Sequence, residues 1–177
     1  NDASGEPLQI NDHVLQIENE YYSLVRPKQV PQVGETPSQA LKNRGVGYVE
    51  LRAVDVNPYS AIGVNETTAG FLEALALYCL LSDSPELLCP EQDLIEKNQT
   101  EVVNRGRAPN ATITDLNGSY HIEDWARQHI SKMQDCARLL DQTYATDLYS
   151  SALAVMQERI DEVDETLSAH VIDDTLK

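Results

Sequence analysis

The sequence predicts an α+β fold, with part of a sheet first and a mainly helical region after it. Three observations carry that prediction. The run "GVGYVELRAVDVNP", Gly45 to Pro58, is rich in β-branched and aromatic residues and bounded by Gly-Val-Gly and Asn-Pro, which marks a strand. From Asn65 onward apolar residues recur at helical spacing through most of the remaining chain. Strand signals and helix signals are therefore segregated rather than alternating, which separates α+β from a parallel α/β pattern.

The elements follow in order. "PLQINDHVLQIENEYYSLVRPK" reads as two extended segments around a turn at Asn11-Asp12. Within it, Leu15, Ile17, Asn19 and Tyr21 alternate with Gln16, Glu18, Glu20 and Tyr22, so the carboxylates gather on one face. Residues 29–44 hold Pro31, Gly34 and Pro37 and read as a loop with one helical turn in "PSQALKN". The strand after Gly45 places Val49, Leu51 and Ala53 on a core-facing side and Tyr48, Glu50 and Arg52 on the other. Asp55 and Asn57 are expected to terminate it.

Asn65 is a good N-cap for a helix reaching about Leu81, apolar on most sides and so expected to be deeply buried. "SDSPELLCPEQ" breaks it, and a polar helix from about Glu91 to Gly106 follows. "ATITDLNGSYHI" offers a short hairpin with Asn117-Gly118 at its turn. Helical spacing then covers Glu123 to Tyr144 and Ala145 to Val163, with a last short helix from Glu165 to Leu176. Residues 1–83 are expected to hold the sheet and one buried helix, and residues 84–177 a helical region packing behind it.

Composition excludes some functions. The 177 residues carry 29 acidic and 13 basic side chains, a net charge of −16, which opposes both a nucleic-acid footprint and docking on anionic membranes. The longest apolar run, "ALALYCLL", falls short of the ~20 residues of a membrane span. "NDASGEPLQI" has no signal-peptide layout, and it starts without Met within a few residues of a strand, as a segment cut from a longer polypeptide would. Cys79, Cys89 and Cys136 are too few for a disulfide framework and lack zinc spacing, so a reduced, cytoplasmic setting is expected. The four Asn-x-Ser/Thr matches, at Asn65, Asn98, Asn110 and Asn117, are read as chance.

No glycine-rich phosphate loop occurs, and His13, His121, His129 and His170 form no HExxH or i,i+4 pair, so each reads as structural or solvated. Two constellations remain. Glu50-x-Arg52 is either a salt-bridged pair on a solvated face or a carboxylate for Mg2+ beside a guanidinium for phosphate or carboxylate, the combination phosphoryl transfer needs. "IENEYYSLVRPK" is either an ordinary edge strand or a place where the Tyr22 hydroxyl meets a small polar ligand while Arg26 and Lys28 face an anion.

Taken together these segments resemble a known family. "LQIENEYYSLVRPKQV", "GETPSQALKNRGVGYVELRAVDVNPYSAIGV" and "FLEALALYCLLSDSP" are similar to proteobacterial-type glutamate–cysteine ligase, over a nearly unbroken run from Leu8 to Pro85. Beyond it only stretches such as "LSAHVIDDTL" match, and His170 stands where the family has an arginine. The resemblance implies an antiparallel sheet forming a glutamine-synthetase-like active-site funnel. It implies a ligase that uses ATP as co-substrate to phosphorylate the γ-carboxylate of L-glutamate, and then joins it to the amine of L-cysteine in the first step of glutathione synthesis. It gives Glu50 as a Mg2+ ligand, Arg52 as the catalytic arginine on the transferred phosphoryl group, and Tyr22 as part of the cysteine pocket; Glu20, Arg26 and Lys28 follow from position alone.

The family's chains are several times longer than this one, and most of their metal-binding carboxylates lie in a part absent here. The resemblance thus implies the C-terminal portion of a ligase, inactive without the N-terminal part of the same enzyme. The alternatives are a non-catalytic acidic module that kept the half-sheet and binds a protein partner, and another ATP-dependent carboxylate–amine ligase.

Overall fold

The structure, a computed structural model, describes Gly5, Gln16, Ile17 and residues 22–177. The expected turn at Asn11-Asp12 and most of the strand alternation from Leu15 to Tyr21 lie outside the described residues. The chain forms two compact units that divide between Asp55 and Val56.

The first unit is a two-stranded antiparallel ribbon. β1 (Val25–Lys28) pairs with β2 (Tyr48–Leu51), with Arg26 opposite Glu50 and Lys28 opposite Tyr48. The segment between the strands carries α1 (Pro37–Arg44), eight residues where the sequence suggested a single turn. Local chemistry explains the extra length. The Thr36 hydroxyl accepts from the Gln39 amide at 3.3 Å while the Gln39 side chain accepts from the Thr36 amide at 3.0 Å, a reciprocal cap that satisfies two free donors. Pro37 occupies the first turn, where its missing N–H costs nothing. Gly45 closes the helix at φ 74°, a conformation that favours glycine.

Glu35 anchors α1 to the preceding loop. Arg44 donates to its two oxygens at 3.0 and 2.6 Å and to the Val30 carbonyl at 2.9 Å, while the Gln32 amide donates to Glu35 at 2.9 Å. The Arg44 hydrogen bonds, followed by the Gln32 amide, lower the Glu35 carboxyl to a pKa of about 2.

Two expectations for the ribbon need correction. The ladder ends at Leu51, with only the Arg52 amide continuing to Leu24 O at 2.7 Å, so Asp55 and Asn57 do not terminate the strand. The Val49/Leu51/Ala53 side is not core: Val49 is 55% and Leu51 41% exposed. Alternation identifies an apolar face, but only a packed partner buries it.

The second unit is built on three helices, α2 (Glu66–Leu81), α4 (Ile122–Tyr144) and α5 (Leu148–Asp161). Their shared core is Ala74, Ile130, Met133, Ala137, Tyr149 and Leu153. A Cβ placed on Gly70 would lie 3.1 Å from Leu148 Cγ, so this glycine permits the close approach of α2 and α5. α4 hands over to α5 through Ala145 at φ 53°, and Asp141 of α4 accepts from the Tyr149 and Ser150 amides at 2.9 and 3.0 Å, capping the next helix. The Tyr149 hydroxyl donates to Glu73 of α2 at 2.8 Å; that carboxylate, reinforced by burial, pushes the phenol up to about 12.

Asn65 caps α2 as its sequence signals, its side chain accepting from Thr68 N at 2.9 Å. The expected deep burial of α2 does not hold. Only Gly70 and Ala74 are buried, and Leu80 and Leu81 at its end stand open. The helix meets α4 and α5 along one stripe, while its composition is apolar on several sides.

Asn57 turns out to be a buried polar residue with a turn-forming role. Its amide donates to Gly63 O at 2.7 Å and its side chain accepts from Tyr59 N at 2.9 Å, holding the loop that leads into α2.

α3 (Cys89–Arg105) supports a hairpin of β3 (Thr112–Thr114) and β4 (Ser119–His121). Asn98 clamps it, donating to Thr114 O and accepting from Thr114 N, both at 2.8 Å. The hairpin turn spans Asp115 to Gly118 rather than Asn-Gly alone: Asp115 Oδ1 accepts from the Asn117 and Gly118 amides at 2.7 and 3.0 Å. A 3₁₀ turn (Val163–Glu165) and α6 (Leu167–Leu176) end the chain, with Tyr59 donating to Asp174 at 2.7 Å. Among the described residues no helix is long and apolar enough to cross a membrane.

Candidate functional site

The ribbon's register sets the site. Directly opposed residues on antiparallel strands share a face, so pairing Arg26 with Glu50 aligns Arg26 and Lys28 of β1 with Tyr48 and Glu50 of β2. Arg52 extends the same parity by one step. Among the described residues, this face thus carries three cations, Arg26, Lys28 and Arg52, against the one carboxylate of Glu50, in a chain whose net charge is −16.

Glu50 is held from both sides. Arg52 Nε lies 3.1 Å from Glu50 Oε1, and the Arg52 terminal nitrogen donates to Oε2 at 3.2 Å. Lys28 Nζ approaches Oε2 at 3.3 Å. The Arg52 guanidinium also lies over the Tyr22 ring, 5.4 Å from its centroid, within cation–π range. The side chains of Lys28, Glu50 and Arg52 are 29%, 34% and 31% exposed, so the cluster is half-sheltered yet open to a ligand.

The electrostatics follow. The hydrogen bonds from Arg52, assisted by Lys28, hold the Glu50 carboxyl below its ordinary range, while partial burial opposes them. Both Glu50 oxygens are engaged by these cations, so a hard metal ion would be ligated there only as Lys28 or Arg52 moves away, and a cation so released would meet an anionic oxygen.

Glu50, Arg52 and Tyr22, singled out in the sequence, are therefore brought together. Glu20 lies outside the described residues. Lys28, positioned only by sequence neighbourhood, is a direct partner of Glu50; its parity with Arg26 on β1 held the signal, but the register that delivers it is a property of the paired strands. His170 takes no part in the ribbon: it lies in α6, its Nε2 3.5 Å from Glu165 and its ring beside Tyr59. Among the described residues no three His, Cys, Asp or Glu side chains are grouped to hold a metal ion. The site offers one hard oxygen donor group in Glu50 and fits a Mg2+ ion as a single ligand, not as a cage.

Comparison with known proteins identifies the family. Residues 1–102 match the family model described as glutamate-cysteine ligase. The chain is 42% identical over 170 residues to the glutamate–cysteine ligase of Pseudomonas putida, covering 96% of this chain and 32% of the relative. It is 39% identical over 172 residues to that of Alcanivorax borkumensis, covering 97% and 33%. Among solved structures it matches a crystal structure of the Francisella tularensis glutamate–cysteine ligase in complex with AMP, with a TM-score of 0.83 and 32% identity over 97% of this chain and 34% of that one. The chain spans about a third of the length of the curated relatives it matches. With the family model covering 102 of its 177 residues, the chain belongs to the glutamate–cysteine ligase family.

Proposed function

We propose that this chain is the C-terminal portion of an ATP- and Mg2+-dependent ligase that joins the γ-carboxyl of L-glutamate to the amine of L-cysteine through a γ-glutamyl phosphate. The observation that carries the proposal is the cluster on the ribbon, where Glu50 is held between Lys28 and Arg52 and Arg52 covers Tyr22. AMP bound to the Francisella relative supports nucleotide use.

Phosphoryl transfer concentrates negative charge without requiring a nucleophilic side chain, so catalysis rests on positioned positive charge. Arg52 would place its planar fork on the transferred phosphoryl oxygens, stacked on Tyr22 so that little orientation is lost. Lys28 would add a second positive charge on the same face. Glu50 would release its hold on these cations to give one carboxylate ligand to Mg2+, which when bound neutralises phosphate oxygens. Tyr22 would border the cysteine. The remaining metal ligands would come from the N-terminal part of the same enzyme, leaving the 177-residue chain inactive alone. The reaction needs no membrane or nucleic acid, and the chain would act in the cytoplasm.

Two substitutions in the intact enzyme test this. Arg52→Lys keeps charge and loses the fork, and is expected to lower kcat about a hundredfold, the scale of losing one oriented charge donor. Tyr22→Phe is expected to raise KM for cysteine while leaving KM for ATP and glutamate in place. An Arg52→Lys enzyme within twofold of the parent, or a Tyr22→Phe effect confined to ATP, would refute the assignment.

A further inference from the structure

The second unit contains a cleft lined by its own residues. It opens between α3, the β3–β4 hairpin and the first turns of α4, with a volume of about 350 Å3. That is the lower end of the size range for small-molecule sites. Its walls are apolar and aromatic: Leu94, Ile113, Leu116, Tyr120, Trp125 and His129. Glu91 and Asp115 supply its charged groups, and the lining contains no lysine or arginine.

The polar groups at the cleft have fixed roles. Asp115 stays ionised, held below its usual range first by the Asn117 amide and then by the Gly118 amide against the opposing effect of burial. Glu91 accepts from the Leu88 amide at 2.9 Å through one oxygen, capping α3. His129 stacks on Trp125 at 4.0 Å between centroids and meets the Tyr78 hydroxyl at 3.2 Å through Nδ1. Burial, then Lys132, lowers its pKa, so the imidazole is neutral near pH 7. The cleft lining therefore combines aromatic faces with two carboxylates and holds no lysine or arginine.

We propose that this cleft binds a small organic ammonium ion, seated on the Trp125 and Tyr120 rings with its charge toward Asp115 and Glu91. Aromatic faces attract cations through their quadrupole, and the carboxylates supply the matching charge. An anionic ligand would meet two carboxylates here, and a neutral apolar one would leave them without a counter-charge. The site is lined by residues of the second unit alone and does not depend on the ligase reading.

The intact enzyme is titrated by calorimetry with 1,4-diaminobutane at constant ionic strength, with 1-butanol and sodium butyrate as neutral and anionic comparisons. The diamine is expected to give a saturable change, and the other two none. Asp115→Asn and Glu91→Gln keep the turn and cap acceptors, and each is expected to weaken diamine binding about three- to fivefold, the size of an exposed ion pair. Glu158→Gln, a charge change outside the lining, is expected to leave it unchanged. Circular dichroism establishes that each variant is folded. Absence of a saturable change, equal binding of butanol, or equal weakening by Glu158→Gln would overturn the proposal, the last by showing attraction to overall charge alone.

Discussion

Replacing Leu153 by alanine tests whether the second unit has the core described. Leu153 is 0% exposed and lies among Ala74, Ile130, Met133, Ala137 and Tyr149. The substitution removes three carbon atoms from a fully desolvated position, about 2.4 kcal/mol in transfer terms at ~0.8 kcal/mol each. The cavity left behind adds to that, because the surrounding helices relax only in part; buried Leu→Ala changes cost about 2–5 kcal/mol in all. Met133, flexible and in the same cluster, can fill some of the void, which places the expected loss near 3 kcal/mol. Leu80→Ala on α2 is the control, since its side chain is 79% exposed and its truncation should stay within about 0.5 kcal/mol. Urea unfolding followed by circular dichroism and by Trp125 fluorescence measures both. A Leu153→Ala loss below 1 kcal/mol, or a Leu80→Ala loss as large, would refute the placement of the core on one stripe of α2, α4 and α5.

Other consequences are equally open to measurement. The depressed Glu35 pKa of about 2 means its clamp on Arg44 stabilises α1 above the ordinary carboxylate range near 4.5 and is lost as pH falls toward 2. Carbon-detected NMR titration of the Glu35 carboxyl should show the low value, and Arg44→Ala should return it to the usual range. Asn98→Asp keeps an acceptor for the Thr114 amide but loses the donor to Thr114 O; the hairpin should lose about 1–3 kcal/mol, read by hydrogen exchange at Thr114.

Much of this architecture was legible in the residues, for local reasons. Asn65 starts α2 because its side chain reaches the Thr68 amide, an interaction three residues long. The shared face of Glu50 and Arg52 follows from strand parity, and the ion pair between them bears that parity out. The segregation of strands from helices gave the α+β class.

What was not legible depends on partners distant in sequence. The apolar side of β2 and the flanks of α2 are hydrophobic in composition, yet burial is conferred by a neighbour, and within the described residues those faces stay open. Lys28 reaches Glu50 only through the β1–β2 register, which no spacing within either strand specifies. Asn57 looked like a strand terminator because Asn-Pro is a common stop; its buried amide and carbonyl contacts with Gly63, Tyr59 and Ser60 belong to a loop whose closure is three-dimensional. The extra turn of α1 rests on the Thr36–Gln39 reciprocal cap, a signal present in the sequence as Thr-x-x-Gln.

The central claim is that the Glu50 face of the ribbon works in phosphoryl transfer. The most direct measurement is the rate of γ-glutamylcysteine formation by the intact enzyme carrying Glu50→Gln, across a range of Mg2+ concentrations. Glutamine keeps the side chain's shape and one acceptor oxygen while removing the charge and the second acceptor. The account predicts a fall in turnover of at least about a hundredfold and a higher Mg2+ requirement, with circular dichroism unchanged. Turnover within about twofold of the parent at every Mg2+ concentration would contradict it.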